Sequence, residues 1–336
     1  MAGSGDVRES MRPAWELSTA FSGLTMRSVT DRSWSWAQAL SGVVPPLVSP
    51  LDDAGGVDVA AVAQLVDHVV SGGVSGLFVL GGCGEGAWLT APQRSAVVRA
   101  AVRAAAGRVP VLAGVMLPGT AAAAEAARQA TDDGADAVVA GSPYYFEVDG
   151  AAQRRHVEAV LAATPLPALL YNIPQCTHHV LAAETVATLA RDRRVLGIKD
   201  SAGDFAVFLG YLGVRRAQPA FRVLQGNEHL AAASLLQGGD GLVPGLANVA
   251  PALLVALREA AAKGDAAACA RLQVVLEDLA TLHEQGHWLP ALKAAVAALG
   301  IGTGRPAPPL APAGETERRA IAAVLRRHGL LGDGTV

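Results

Sequence analysis

The sequence predicts an α/β fold, a (β/α)8 TIM barrel with a C-terminal helical extension, on three observations. Eight short apolar runs recur between residues 43 and 245, and alanine-rich helical segments separate them. Successive runs begin roughly 20 to 34 residues apart, near the length of one strand-plus-helix unit in a barrel of about 250 residues. The chain has 336 residues, 51% of them hydrophobic, enough to bury a core of that size. A doubly wound open sheet is the competing architecture, because it uses the same alternation of strand and helix.

The runs are VVPPLV (43–48), GLFVL (76–80), VPVLAG (109–114), DAVVA (136–140), LPALLY (166–171), VLGIK (195–199), FRVLQ (221–225) and GLVPG (241–245). Each is short, rich in aliphatic residues and followed by small or turn-forming residues, the pattern of a buried parallel strand. Between them, segments 58–70, 91–106, 120–133, 151–163 and 182–191 space their apolar residues by three and four, the period of a helix that buries one face. Residues 41–263 therefore read as the barrel, and 264–336 as a helical region interrupted by the proline-rich GRPAPPLAPAG (304–314). Residues 1–40 read as an N-terminal extension, expected to be poorly ordered. It carries scattered charges and serines without an apolar core, so it does not read as a secretory signal. Its Trp15, Trp34 and Trp36 are candidates for docking on the main body or on a neighbouring subunit.

Composition excludes several functions. Lysine and arginine total 27 against 30 aspartate and glutamate, a formal net charge of -3 with no block of like charge. Neither a nucleic-acid footprint nor an anionic-membrane footprint is present. No stretch of about 18 apolar residues runs free of a charge or a glycine cluster, so no transmembrane helix is expected. Cys83, Cys176 and Cys269 are odd in number and lack metal-ligand spacing, which points to a reducing, cytoplasmic location and to no metal site.

In a barrel, chemistry sits where strands end. Four ends stand out: GGCGEG (81–86), SPYYFE (142–147), YNIPQCTHH (171–179) and KDSAGD (199–204). Only three of the 27 basic residues are lysines, Lys199, Lys263 and Lys293, so a lysine that closes an apolar run is conspicuous. Tyr171 lies 28 residues before Lys199, one repeat, which places the two on neighbouring strands about 4.8 Å apart. Alternation along the strand gives Lys199 the face of Gly197 and Val195 and sends Asp200 to the other. An ordinary lysine has a pKa of about 10.4, with about one amine in 2,500 neutral at pH 7, and roughly 4 to 5 kcal/mol of desolvation is needed to free it. A freed amine attacks a carbonyl carbon to form a Schiff base, and an adjacent tyrosine can shuttle the protons. The competing reading is a solvated surface lysine.

Taken together, LVSPL (47–51), GGCGE (81–85), SPYY (142–145), YNIP (171–174), GIKDSAGD (197–204) and GGDGLVPGLANVAP (238–251) resemble the dihydrodipicolinate synthase and N-acetylneuraminate lyase superfamily over about residues 42–305. The resemblance implies a (β/α)8 barrel assembled as a homotetramer or homodimer. It implies class I chemistry on pyruvate or a related 2-keto acid, with an aldehyde as co-substrate or product. No metal or organic cofactor is implied beyond the covalent Lys199 imine. Lys199 matches the Schiff-base lysine and Tyr171 the proton relay that contacts the keto acid. Tyr145 matches an aromatic position that, in synthase members, crosses a subunit interface into the neighbour's relay. Val243 falls where the family places an aliphatic residue against the pyruvyl group. Glu228 matches a position that contacts sugar-like substrates in lyase members, and it also suits the first turn of a helix.

Departures bear on the substrate. Where the family usually carries hydroxyl residues in the glycine loop, this chain has Gly82 and Cys83, whose backbone N–H groups remain available to a carboxylate. Where dihydrodipicolinate-forming members usually carry an arginine, this chain has Cys176. A lyase or aldolase distinct from the lysine-pathway synthase is therefore expected. The alternatives are a dehydratase of a 2-keto-3-deoxy sugar acid using the same imine, and a non-catalytic barrel that binds keto acids. His178, beside His179, reads either as an acid, base or hydroxyl binder or as a surface residue. Cys83 and Cys176 read as mouth neighbours or as space-filling residues. Glu85 reads as an acceptor of backbone N–H bonds that holds its turn, and Trp88 and Trp288 as packing.

Overall fold

Short aliphatic runs bounded by prolines, glycines and polar caps dictate the architecture. The structure, a computed structural model, describes residues 35–332. Seven strands, β1 (Leu77–Val79), β2 (Val111–Gly114), β3 (Ala137–Gly141), β4 (Ala168–Asn172), β5 (Val195–Asp200), β6 (Arg222–Gln225) and β7 (Gly241–Leu242), form one sheet in sequence order. Every neighbouring pair is parallel. Seven of the eight predicted runs thus hold strands.

The first run holds no strand of its own among the described residues, so the sheet shows seven of the eight expected strands. That run makes single parallel bridges, Val43 with Leu242 of β7 and Pro46 with Phe78 of β1. Pro45 and Pro46 have no N–H to give to a ladder. The residues around them still pair: Val44 donates to the Leu242 carbonyl and Leu47 to the Phe78 carbonyl, each at 2.8 Å. This segment therefore lies against both edge strands of the sheet.

Helices alternate with the strands, with α2 ahead of β1: α2 (Val59–Ser71), α3 (Ala91–Ala105), α4 (Thr120–Asp132), α5 (Gly150–Ala162), α6 (Pro174–Thr177), α7 (Ala183–Leu189), α8 (Phe205–Val214), α9 (Ala231–Leu236) and α10 (Pro251–Ala262). Polar caps set several starts. The side chains of Asp58, Asp149 and Asp204 each accept an N–H from the first turn of α2, α5 and α8, a contact worth about 1 kcal/mol. Residues 304–314 carry no helix, and α11 (Ala266–Ala280), α12 (Trp288–Ala298) and α13 (Glu315–Arg327) flank them. Trp15 and Trp34 lie outside the described residues. Trp36 opens α1 (Trp36–Ala39) and packs on the inner cluster of the sheet.

Strand alternation produces two apolar layers. Phe78, Leu112, Val139, Leu169, Tyr171, Leu224 and Val243 form the inner cluster, while Val79, Ala113, Val138, Leu170, Ile198 and Val223 pack outward against the helices. Among the described residues no helix is long and apolar enough to cross a membrane, and no cluster of His, Cys, Asp and Glu can hold a metal ion.

Gly197 shows how tightly β5 and β6 are set. A Cβ built there would sit 2.1 Å from the Arg222 carbonyl oxygen, which only a shift of backbone relieves. Gly197→Ala is expected to lose about 1–3 kcal/mol, read in urea as a lower midpoint at an unchanged slope.

Candidate active site

The register of two strands brings the principal pair together. Tyr171 of β4 lies directly opposite Lys199 of β5, and Leu224 of β6 flanks the lysine on its other side. Lys199 and Tyr171 are each only 3% exposed. The Lys199 Nζ stands 4.1 Å from the centre of the Tyr171 ring and 5.2 Å from that of Phe78. The two rings meet edge to face at 5.9 Å. Among the described residues the ammonium has no carboxylate partner; aromatic faces surround it instead.

Room for the lysine comes from Gly226, where a Cβ would lie 2.7 Å from Lys199 Cε and 2.1 Å from Ser201 Oγ. Asp200 turns to the opposite face, as alternation requires. It is buried and accepts the Asn172 side-chain amide at 2.7 Å and the Ala202 N–H at 3.1 Å. Burial raises its carboxyl above the ordinary aspartate range, and these two bonds pull it part of the way back. Asn172 also accepts the Leu181 N–H at 3.0 Å, which ties β4 to the chain entering α7.

The GGCGEG loop follows β1. Leu80 and Glu85, at its two ends, both have left-handed backbones with φ of 61° and 54°. Gly84 and Gly86 sit where any Cβ would strike backbone, at 2.7 Å from Leu80 N and 2.1 Å from Leu80 O respectively. Gly82 differs, since a Cβ there would meet nothing within 4 Å. The Gly82 position therefore faces open space.

Cys83 and Glu228 converge on Gly245: a Cβ on that glycine would lie 3.5 Å from both the Cys83 Sγ and the Glu228 Oε1. Glu228 begins a 3-10 turn, Glu228–Leu230, and accepts the Leu246 N–H at 3.2 Å. Burial pushes the Cys83 thiol up to about 12, with Lys199 pulling it down and Glu228 pushing it further up. Lys199, Cys83 and Glu228 thus share one electrostatic neighbourhood. Val243 belongs to the same inner cluster as Tyr171. Cys176 is exposed on α6; burial of its thiol raises it and Lys199 lowers it, so it lies within reach of the same charge.

Two predicted residues stand apart from this group. Tyr145 is 82% exposed, holds a φ of 84° and meets Phe146 edge to face at 4.9 Å. His178 is exposed and occupies the left-handed C-cap of α6, where its N–H donates to the Pro174 carbonyl at 2.8 Å. Its neighbour His179 makes the contact between loops, with Nε2 3.1 Å from the Phe146 carbonyl oxygen. Trp88 and Trp288, expected as packing, are instead 49% and 41% exposed.

Sequence reasoning passed over Lys293. It is 2% exposed on α12, with Nζ 2.5 Å from Glu85 Oε2 and 2.8 Å from the Ser49 carbonyl. The scarcity of lysine that marked Lys199 was the available signal. Glu85 does accept a backbone N–H, but from Ala307 at 2.5 Å, 222 positions away. The partner outside its own turn was the unforeseen part.

A profile described as the dihydrodipicolinate synthetase family matches residues 39–328. An uncharacterized DapA-like lyase of Halobacterium salinarum is 39% identical over 87% of this chain and 95% of its own length. A probable 2-dehydro-3-deoxy-D-pentonate aldolase, YjhH of Escherichia coli, is 33% identical over 87% of this chain and 98% of its own. The crystal structure of YagE, a prophage protein of the dihydrodipicolinic acid synthase family from Escherichia coli in complex with pyruvate, superposes with a TM-score of 0.82. It is 31% identical and covers 86% of this chain and 99% of its own.

The elevated Cys83 thiol carries a direct expectation. With its value near 12, on the order of one thiol in 10,000 is ionised at pH 8, against about a quarter for an ordinary cysteine. Iodoacetamide at pH 8 is expected to alkylate Cys83 about three orders of magnitude more slowly than a free thiol, as followed by peptide mass spectrometry.

Proposed function

The chain belongs to the dihydrodipicolinate synthetase family, and from that premise we propose that it is a class I aldolase or lyase that acts through an imine between Lys199 and pyruvate or a related 2-keto acid. The observation that carries the reading is the buried Lys199 Nζ lying against the Tyr171 ring with no carboxylate partner among the described residues. Family membership supports a lyase or aldolase; the imine, the substrate and the assembly are the proposal.

In this reading the Lys199 amine attacks the keto carbon, and the Tyr171 phenol protonates the leaving hydroxyl as water departs. For a 4-hydroxy-2-keto acid, the Tyr171 phenolate left by that step takes the proton from the C4 oxygen as the C3–C4 bond breaks. The bonding pair moves into the iminium nitrogen as an enamine, and an aldehyde leaves. Protonation at C3 and hydrolysis then release pyruvate and restore the amine. No metal or organic cofactor takes part in this scheme. The open Gly82 turn and Cys83 hold the keto-acid carboxylate, and Val243 packs against the pyruvyl methyl group.

The same proposal takes the bridging segment 43–47 as the stave that completes a (β/α)8 barrel. It assigns residues 41–263 to the catalytic barrel and 264–336 to a helical appendix, in a cytoplasmic enzyme. Tyr145, exposed with a strained backbone, meets the proton relay of a second copy in a homodimer or homotetramer. Glu228 binds hydroxyls of the aldehyde portion. Cys176 stands where a second substrate carboxylate would need a cation, which favours an acceptor other than the one used by the lysine-pathway synthase.

Incubation with pyruvate and borohydride is expected to add one reduced pyruvyl group at Lys199, located by peptide mass spectrometry, and none in Lys199→Ala. Tyr171→Phe is expected to slow turnover by about 10²–10⁴-fold. Release of pyruvate from 4-hydroxy-2-keto acids supports the aldolase. Loss of water from a 3-deoxy sugar acid without cleavage identifies the dehydratase. Modification of Lys199 with no turnover of either class identifies a binder, and absence of any modification rules out the imine.

A further inference from the structure

The loop that faces the lysine is held by a residue 208 positions along the chain from its last glutamate. Two non-glycine residues, Leu80 and Glu85, are left-handed in it, and such conformations persist only where the surroundings over-determine them. Inside the loop, Glu85 N–H donates to the Gly82 carbonyl at 3.1 Å and Gly86 N–H to the Gly81 carbonyl at 3.2 Å. Those bonds close the turn without anchoring it to anything else.

Lys293 supplies the anchor. Its Nζ donates to Glu85 Oε2 at 2.5 Å and to the Ser49 carbonyl at 2.8 Å, and the Ser49 hydroxyl donates to the Gly84 carbonyl at 2.7 Å. One ammonium thus braces two successive loop residues, Glu85 directly and Gly84 through Ser49. The second Glu85 oxygen takes the Ala307 N–H, so α12 and the proline-rich connector grip the same carboxylate. The side chains of Lys293 and Glu85 are 2% and 0% exposed. A pair buried so completely adds little stability over an apolar pair of the same volume, because both charges must leave water. Its distinctive contribution is direction.

We propose that Lys293 is a positioning residue for keto-acid binding: with Glu85 and Ser49 it holds the 81–86 turn in the strained shape that opens Gly82 and Cys83 toward the Lys199 mouth. The C-terminal helical region is then part of the substrate site through its hold on the loop. The inference rests on the imine reading for its kinetic consequence, and on the geometry alone for the shape of the loop.

The test uses two variants. Glu85→Leu/Lys293→Met removes both charges together and avoids stranding one of them in the core, and Ser49→Ala removes one brace with little risk to folding. Each is measured for thermal midpoint, for the pyruvate concentration that half-saturates borohydride trapping at Lys199, for the maximal trapping rate, and for amide hydrogen exchange of residues 81–86. The double variant is expected to stay folded near the wild-type midpoint, to need at least ten times more pyruvate at a maximal rate within about threefold of wild type, and to exchange faster over 81–86. Ser49→Ala is expected to move the same two readouts by a few fold. A folded double variant with wild-type half-saturation and exchange overturns the proposal. If it does not fold, Ser49→Ala decides on the same criteria. Should the wild-type chain not be trapped at all, the imine reading fails by itself, and exchange over 81–86 alone decides for or against the clamp.

Discussion

The pairing of β4 with β5 is the contact on which the site depends. From Leu169 opposite Gly197 onward the two strands advance in step, so Tyr171 meets Lys199 and Asn172 meets Asp200. Because side chains alternate between faces, a slip of one residue would exchange lysine for isoleucine or aspartate at the mouth. The register shift between Ala168 and Leu169 falls just upstream of this stretch, and Asn172 locks the ends by donating to Asp200 across the strands at 2.7 Å. The polar pair on the outer face thereby fixes Tyr171 and Lys199 on the inner one.

Two buried charges within one strand end raise a question of energy. Lys199 and Asp200 are adjacent, both nearly inaccessible, and point apart. The carboxylate finds the Asn172 amide and the Ala202 N–H, whereas the Lys199 nitrogen lies against the Tyr171 and Phe78 rings. A cation over a ring recovers part of its lost hydration, about 0.5–2 kcal/mol, much less than a buried carboxylate partner would supply. The hydrogen bonds thus lie on the outer face, and ring faces lie beside the inner amine. Lys293, buried to the same degree, shows the opposite solution, with a carboxylate and a carbonyl directly on its nitrogen.

Periodicity made most of the fold legible, since seven apolar runs hold the seven strands and the helical segments between them fall within a few residues of the predicted spans. The exception has a local cause in Pro45 and Pro46, which keep an apolar run from forming a ladder while it still bridges both sheet edges. Within the site, Lys199 and Tyr171 were legible because one repeat separates them, and strand pairing converts sequence spacing into adjacency. The Glu85–Lys293 pair had no such rule to reveal it. Its members lie 208 positions apart, and only the packing of α12 on the loop joins them. Tyr145 is legible as a tyrosine but not as a strained one, because a φ of 84° depends on the loop around it.

Charge balance around the lysine then limits what the mouth can receive. Lys199 acts on the Cys83 thiol with one sign and Glu228 and Glu85 with the other, so groups of both charge types border the mouth before any substrate enters. A keto-acid carboxylate placed at the glycine loop adds a second anion, which a cationic iminium at Lys199 would partly offset. Two like unit charges 5 Å apart repel by about 3 kcal/mol at an effective dielectric of 20. Under the proposed reading, an acceptor bearing a further carboxylate would meet such repulsion from Glu228, with Cys176 offering no cation to offset it. An aldehyde bearing hydroxyls meets no such penalty and can donate to the Glu228 oxygen that already accepts the Leu246 N–H. Under the proposed imine reading, the charges around Cys83 therefore favour an uncharged, hydroxylated partner for the keto acid.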